Sequence, residues 1–263
     1  MKALQRAALP SVDAQAALAE ARRLIDRRIG HPARRAFLRR SLTLGGLSLL
    51  TGCGISDNAG VEAALMTISR FNDRVQGWIF DPTQLAPTYP ESMITRPFPF
   101  NAYYGENQVR IVDEESYRLE VTGLVADKRR WTLADLRKMP QQDQVTRHIC
   151  VEGWSAIGKW GGVRFAEFLQ RVGADTSAKY VGFKCEDDYY TSIDMATALH
   201  PQTLLTLTYD GQPLPPKYGF PMKLRMPTKL GYKNPKHINA IFVTNSHPGG
   251  YWEDQGYNWF GGS

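Results

Sequence analysis

The sequence predicts an α+β domain, with mixed sheets and peripheral helices. Three observations predict it. Runs such as "YRLEVTGLV" and "HINAIFVTN" have the period-two character of half-buried strands. Short amphipathic helices punctuate them, and "RFAEFLQRVGA" is the clearest, with Phe165, Phe168, Leu169 and Val172 on one face and Gly173 at its end. "KYVGFKC" and "YYTSIDM" flank a charged turn at Glu186–Asp188, which makes a hairpin and a sheet that is not simply parallel.

Residues 1–53 read as an export leader. Arg34 and Arg35 precede Phe37, Leu38 and Arg39, and a mildly apolar stretch follows from Leu42 to Leu50. That order resembles a twin-arginine signal, which implies the twin-arginine translocase as a partner and a periplasmic destination. The stretch is too short to span a bilayer. "LTGC" at Leu50–Cys53 resembles a lipobox, so a lipid on Cys53 is expected to anchor the protein to a membrane. Ala14–Arg28, ahead of the signal, reads as an amphipathic helix. Residues 54–95 are expected to be a linker and an extended wrapping segment, with one or two helical turns in "FNDRVQGWIFDP". "APTYPESMITRPFPFN" holds four prolines in sixteen residues, which excludes a regular helix or central strand. Its Tyr, Ile and Phe side chains suit docking on a domain surface.

Residues 96–263 form the expected catalytic domain. After the strand at Tyr117–Val125 comes "TLADLRKMP", with Thr132 as N-cap, Leu133 and Leu136 inward and Pro140 as the stop. "QVTRHICV" is a strand. "MATALHPQTLLTLTYDG" begins helical, breaks at Pro201 and continues extended. "MKLRMP" and "HINAIFVTN" are further strands, and "GYWEDQGYNWFGGS" is expected to cap a surface.

Charge excludes one class of function. The chain has 32 Lys/Arg and 26 Asp/Glu, and residues 1–53 hold ten and three of them. The remaining 22 and 23 give the body a net charge of −1, so the basicity belongs to the leader and a broad nucleic-acid-binding face is not expected. The 263 residues are ample for one sizeable core.

The chemistry centres on "RHICVEGWS". Cys53, Cys150 and Cys185 are the only cysteines and form no CxxC pair, so zinc spacing is absent. A Cys150–Cys185 disulfide remains open. On a strand, His148 and Cys150 share a face while Arg147 and Ile149 share the other. A histidine beside a thiol promotes the thiolate, although local features alone favour a plain core role for the cysteine. Two side chains on one strand face diverge too much for a hydrolase pair, and no Gly-x-Ser-x-Gly or phosphate-binding glycine loop is present. A thiolate completing the shell of a metal held by an organic cofactor is the remaining catalytic class.

The blocks "RHICVEGWS", "KWGGVRFAEFL", "AKYVGFKC", "ALHPQTLLT" and "DGQPLPPKYGFPMKLRMPTKLGYKNPKHINAI", in that order, resemble the sulfite-oxidase-fold molybdopterin domain. The resemblance is to the bacterial periplasmic protein-methionine-sulfoxide reductase type and runs from about Phe71 to Asn245. It implies the sulfite oxidase molybdopterin-binding fold and a molybdenum–molybdopterin cofactor, with Cys150 as metal ligand and His148 as a candidate proton donor. It further implies cofactor contacts at Asn101 and Tyr104 of "FNAYYGEN", and at Cys185, Tyr218, Lys223 and Lys236. Gly105 stands where the family often has Glu. Cys185 replaces a Thr, Tyr218 an Asn and Lys223 an Arg, which removes a bidentate fork. Oxygen-atom transfer such as sulfoxide reduction is the implied reaction, on a small-molecule or protein sulfoxide. Sulfite oxidation or dehydrogenation is the alternative, and a cofactor-free binding lipoprotein keeping the fold is the rival from another class. No CxxCH haem motif is present, so electrons are expected from a separate membrane haem subunit of cytochrome b type. No room remains for the oxidases' dimerisation domain, so a monomer is expected.

Overall fold

The computed structural model describes residues 59–263, with side chains from Leu65. The chain divides into two units, Met1–Ala64 and Leu65–Ser263, and the second is described below. The export signal, Cys53 and the helix expected at Ala14–Arg28 lie outside the described residues.

Two sheets carry the fold. The first has the order β1 (Glu120–Gly123), β9 (Ile238–Thr244), β4 (Tyr180–Cys185), β5 (Tyr190–Asp194), with β1 parallel to β9 and the other pairs antiparallel. The second is antiparallel throughout. It runs β2 (Gln141–Ile149), β3 (Ser155–Arg164), β6 (Leu204–Tyr209), β7 (Gln212–Pro213), with β8 (Lys223–Arg225) also on β6. The mixed arrangement is the one expected from the hairpin at Glu186–Asp188. The principal core joins both sheets, with Val121, Phe183 and Ile241 from the first and Val163, Leu205 and Leu224 from the second.

Helices are short and peripheral, apart from the first. α2 (Leu133–Arg137) starts at Thr132, whose hydroxyl accepts from the Asp135 N–H while the Asp135 carboxylate accepts from the Thr132 N–H. α3 (Phe165–Arg171) buries Phe165, Phe168 and Leu169, and Gly173 follows at φ +60°. α4 (Met195–Leu199) is capped by Asp194 and gives way to β6 after Pro201.

α1 (Ala59–Ile79) corrects the expectation of one or two turns. Its contacts to the domain are polar: Asp73 accepts from the Phe260 N–H at 2.8 Å, and Gln76 accepts from the Gly262 N–H at 3.3 Å. Ile68, Phe71, Trp78 and Ile79 are exposed, so the core-facing apolar stripe by which such a helix is recognised does not exist. Among the described residues no helix is long and apolar enough to cross a membrane.

The proline-rich segment pairs with the second sheet. Tyr89 N–H donates to Val145 O of β2 and Thr95 N–H to Ile157 O of β3, at 3.0 and 2.8 Å. Ile94 and Phe98 are buried as anchors.

Candidate active site

Five segments far apart in sequence wall one cavity: the β2–β3 turn, the end of the wrapping segment, the β4–β5 hairpin, the loop 231–236 and the chain after residue 250. Cys150 lies one residue past β2. Its N–H donates to Trp154 O at 2.9 Å, and its carbonyl accepts from the Gly153 N–H at 3.1 Å. Gly153, at φ +91°, makes that reversal. The turn holds the thiol at the cavity wall.

Alternation along β2 places side chains as expected. Thr146, His148 and Cys150 are buried, and Arg147 between them is not. The Cys150 thiol donates toward Glu152 Oε2 at 3.6 Å, and the same oxygen accepts from Trp154 Nε1 at 2.8 Å. Burial, and then the Glu152 carboxylate, push the thiol pKa up, so the protonated thiol is favoured in the free side chain and a bound cation would favour the thiolate.

His148 is fully buried, with Nε2 3.4 Å from Asn101 Nδ2. Burial, followed by the charges of Lys223, Arg225 and Lys236, holds its pKa well below the usual histidine range. Its imidazole is therefore neutral near neutral pH, and a neutral ring keeps one N–H, so the candidate donor role expected for His148 stands as an expectation. Gly231 explains how the loop approaches it, since a Cβ there would lie 2.8 Å from His148 Nε2.

The structure brings Cys150, Asn101 and Lys236 to the cavity wall. Tyr104 stands one layer behind and donates its hydroxyl to Asp187 Oδ2 at 2.8 Å. Lys236 donates to the carbonyls of Asn101 and Lys217, and burial lowers its pKa to about 7. Lys223 is not on the open wall. It is buried beneath, with Nζ 4.8 Å from the Trp160 ring centre.

Two expected contacts are not brought to the cavity. Cys185 packs in the principal core, where burial raises its pKa well above the ordinary thiol value. Tyr218 packs with Phe98 and Trp160 and donates its hydroxyl to Phe98 O at 2.9 Å. Both positions exchange a small polar side chain for one that suits the core. Cys150 and Cys185 are free thiols, so the disulfide left open by sequence is absent.

Several wall residues were not singled out from sequence: Tyr103, Asp187, Tyr189, Tyr232, Trp252 and Tyr257. Arg225 was missed too, although a signal existed. Lys223 and Arg225 are two cations on one face of an otherwise apolar strand, where a solvent-facing row would be exposed. Both are buried. Arg225 donates to Arg147 O at 2.6 Å and to Thr146 Oγ1 at 3.2 Å, tying β8 to β2.

The buried polar atoms behind Cys150 specify what fits. Among the described residues, no carboxylate lies within ion-pair distance of Lys223, Arg225 or Lys236. Nearby, His148 Nδ1, Trp160 Nε1, Thr206 Oγ1 and Arg225 Nε have no hydrogen-bond partner. Buried donors and cations without partners are costly, and an anionic, hydrogen-bonding organic group would satisfy them. No cluster of three or more His, Cys, Asp or Glu that could hold a bare metal ion exists among the described residues.

The chain matches the family described as oxidoreductase molybdopterin binding domain over residues 106–252. It is 78% identical over 232 residues to a protein of Azospira oryzae provisionally named protein-methionine-sulfoxide reductase subunit YedZ1, covering 88% of each chain. It is 33% identical over 161 residues to the protein-methionine-sulfoxide reductase catalytic subunit MsrP of Ralstonia nicotianae, covering 55% of this chain and 49% of that protein. The sulfane dehydrogenase SoxCD of Paracoccus pantotrophus aligns at a TM-score of 0.49 and 18% identity, over 52% of this chain and 40% of that one.

Proposed function

The chain belongs to the oxidoreductase molybdopterin-binding domain family, and on that premise we propose that it is an exported reductase that takes the oxygen atom from a sulfoxide. It is an oxidoreductase whose cofactor is molybdenum–molybdopterin, with the sulfite-oxidase-type fold. The observation that carries the proposal is the pairing of Cys150, at the cavity wall, with buried cations that have no carboxylate partner behind it.

Cys150 would hold the molybdenum. Lys236 and Asn101 would meet the pterin from the cavity wall, with Lys223 and Arg225 supplying positive charge beneath its phosphate. When bound, the cofactor supplies a two-electron change between molybdenum's IV and VI states. The neutral His148 fixes Asn101 through its ring nitrogen. The aromatic residues Tyr103, Tyr189 and Trp252 line the cavity with ring faces that suit a thioether or sulfoxide methyl group. Electrons would come from a separate membrane haem subunit, and the leader would deliver the folded, loaded protein to the periplasm.

Metal analysis tests the assignment. Protein exported from a host that makes molybdopterin is expected to carry about one molybdenum per chain, and Cys150→Ser to lose most of it. Full metal content in that variant overturns the ligand assignment. Methionine sulfoxide compared with sulfite, using artificial electron carriers, tests the direction. Turnover of sulfite alone would replace the reductase reading with its oxidase alternative.

A further inference from the structure

We propose that Glu152 makes the entrance to Cys150 selective for uncharged substrates and turns away anions. This rests on the reading of the cavity as the place where a substrate meets Cys150, and it names the charge class of that substrate.

Glu152 is the exposed carboxylate at the thiol. Its Oε2 lies 3.6 Å from Cys150 Sγ and is fixed by Trp154 Nε1 at 2.8 Å, so the charge has one position. Among the described residues no Lys, Arg or His lies within ion-pair distance of it. The other carboxylate on the wall, Asp187, differs. It accepts from Tyr104 Oη at 2.8 Å and from the Tyr189 N–H at 3.3 Å, and it faces the positive charge of Lys236. The cations that could attract an anion are all buried: Lys223 and Arg225 are 1% and 0% exposed, and Lys236, on the same wall, is 8% exposed with its amine given to Asn101 O and Lys217 O. Among the residues lining the cavity, Glu152 is therefore the exposed charge that a solute from water meets, while Asp187 and Lys236 are buried. Two unit charges a few ångströms apart at a water-facing site change a rate by roughly three- to tenfold, and salt screens the effect.

The test compares a neutral with an anionic partner at the same atom. In the full-length chain from a host lacking molybdopterin, Cys150 is alkylated by iodoacetamide or by iodoacetate, and the Cys150 peptide is followed by mass spectrometry. Both reagents consume the thiolate, so their rate ratio cancels any change in thiol pKa. Relative to a small neutral thiol, the wild type is expected to disfavour iodoacetate by about three- to tenfold, with the preference shrinking as salt rises. Glu152→Gln keeps an oxygen for Trp154 and is expected to abolish the preference. An unchanged ratio in that variant overturns the proposal, as does a wild-type ratio insensitive to salt, which needs no variant. In the holoenzyme, the kcat/KM ratio of N-acetylmethionine sulfoxide to its neutral methylamide is expected to rise by the same factor in Glu152→Gln. If the holoenzyme reduces neither sulfoxide, the reductase reading fails while the alkylation ratio still decides the role of Glu152.

Discussion

A lysine amine held almost dry titrates near neutrality, and Lys236 is that residue here. Burial lowers its pKa to about 7, against the opposing pull of Asp187 and Glu106. The folded value lies below the unfolded one, so between about pH 7 and 10 the unfolded chain binds more protons. The penalty for the buried charge is fully present below pH 7 and fades as pH rises. The cofactor-free protein is therefore expected to gain thermal stability from pH 7 to 9, and Lys236→Met to gain less. Equal gains in the two, followed by circular dichroism melting, would contradict the assignment. Among site residues, Cys150, Asn101 and Lys236 were singled out because the blocks that hold them resemble the molybdopterin domain, and the structure brings the three to one cavity. The aromatic wall was not. A tyrosine in a cavity and a tyrosine in a core have the same local sequence, and only the meeting of the β4–β5 hairpin with the segment after residue 250 distinguishes them.

At the scale of elements, signals set by a spacing of two or three residues were sound, even in β2, whose buried side is Gln144, Thr146 and His148, and the long helix with a polar domain-facing side escaped them. Strand alternation in β2 and the capping box of α2 could be read directly, because each follows from spacing of two or three residues. Thr132→Ala is expected to cost about 1 kcal/mol in denaturant unfolding, through loss of that cap. α1 could not be read, since Asp73 and Gln76 face the domain while Leu65, Ile68, Phe71, Trp78 and Ile79 are exposed. Glycine in β3 carries a tertiary constraint that sequence expresses only as composition. A Cβ at Gly162 would stand 2.0 Å from Leu205 O across the β3–β6 pairing, beside the register shift at Gly161/Gly162. The opposing atom is backbone and cannot swing aside. Gly162→Ala is expected to destabilise by about 1–3 kcal/mol or more; a loss below about 0.5 kcal/mol, the range of an ordinary surface substitution, would show that the strands do not approach so closely.

The whole molecule is closed by residues 251–260. Lys233, fully buried, donates to the Glu253 carboxylate and to Ser192 O, while Thr191 Oγ1 donates to Glu253 Oε1 at 2.7 Å. Lys229 donates to Phe260 O at 2.9 Å. Glu253→Gln would leave the Lys233 charge buried without its partner, at a cost of about 3–5 kcal/mol. Limited proteolysis is expected to cut that variant after Thr244 well before the wild type, and equal cutting would show that the pair is not the fastening. The same loop that anchors this segment also carries Gly231, Asn234 and Lys236, so its grip shapes the cavity directly. That closure also has a consequence for the timing of assembly. The walls are drawn from residue 101 through residue 257, and Trp252 and Tyr257 are synthesised after every other part of them. A nascent chain has no enclosed cavity to offer. Cofactor loading therefore follows the synthesis of Trp252 and Tyr257.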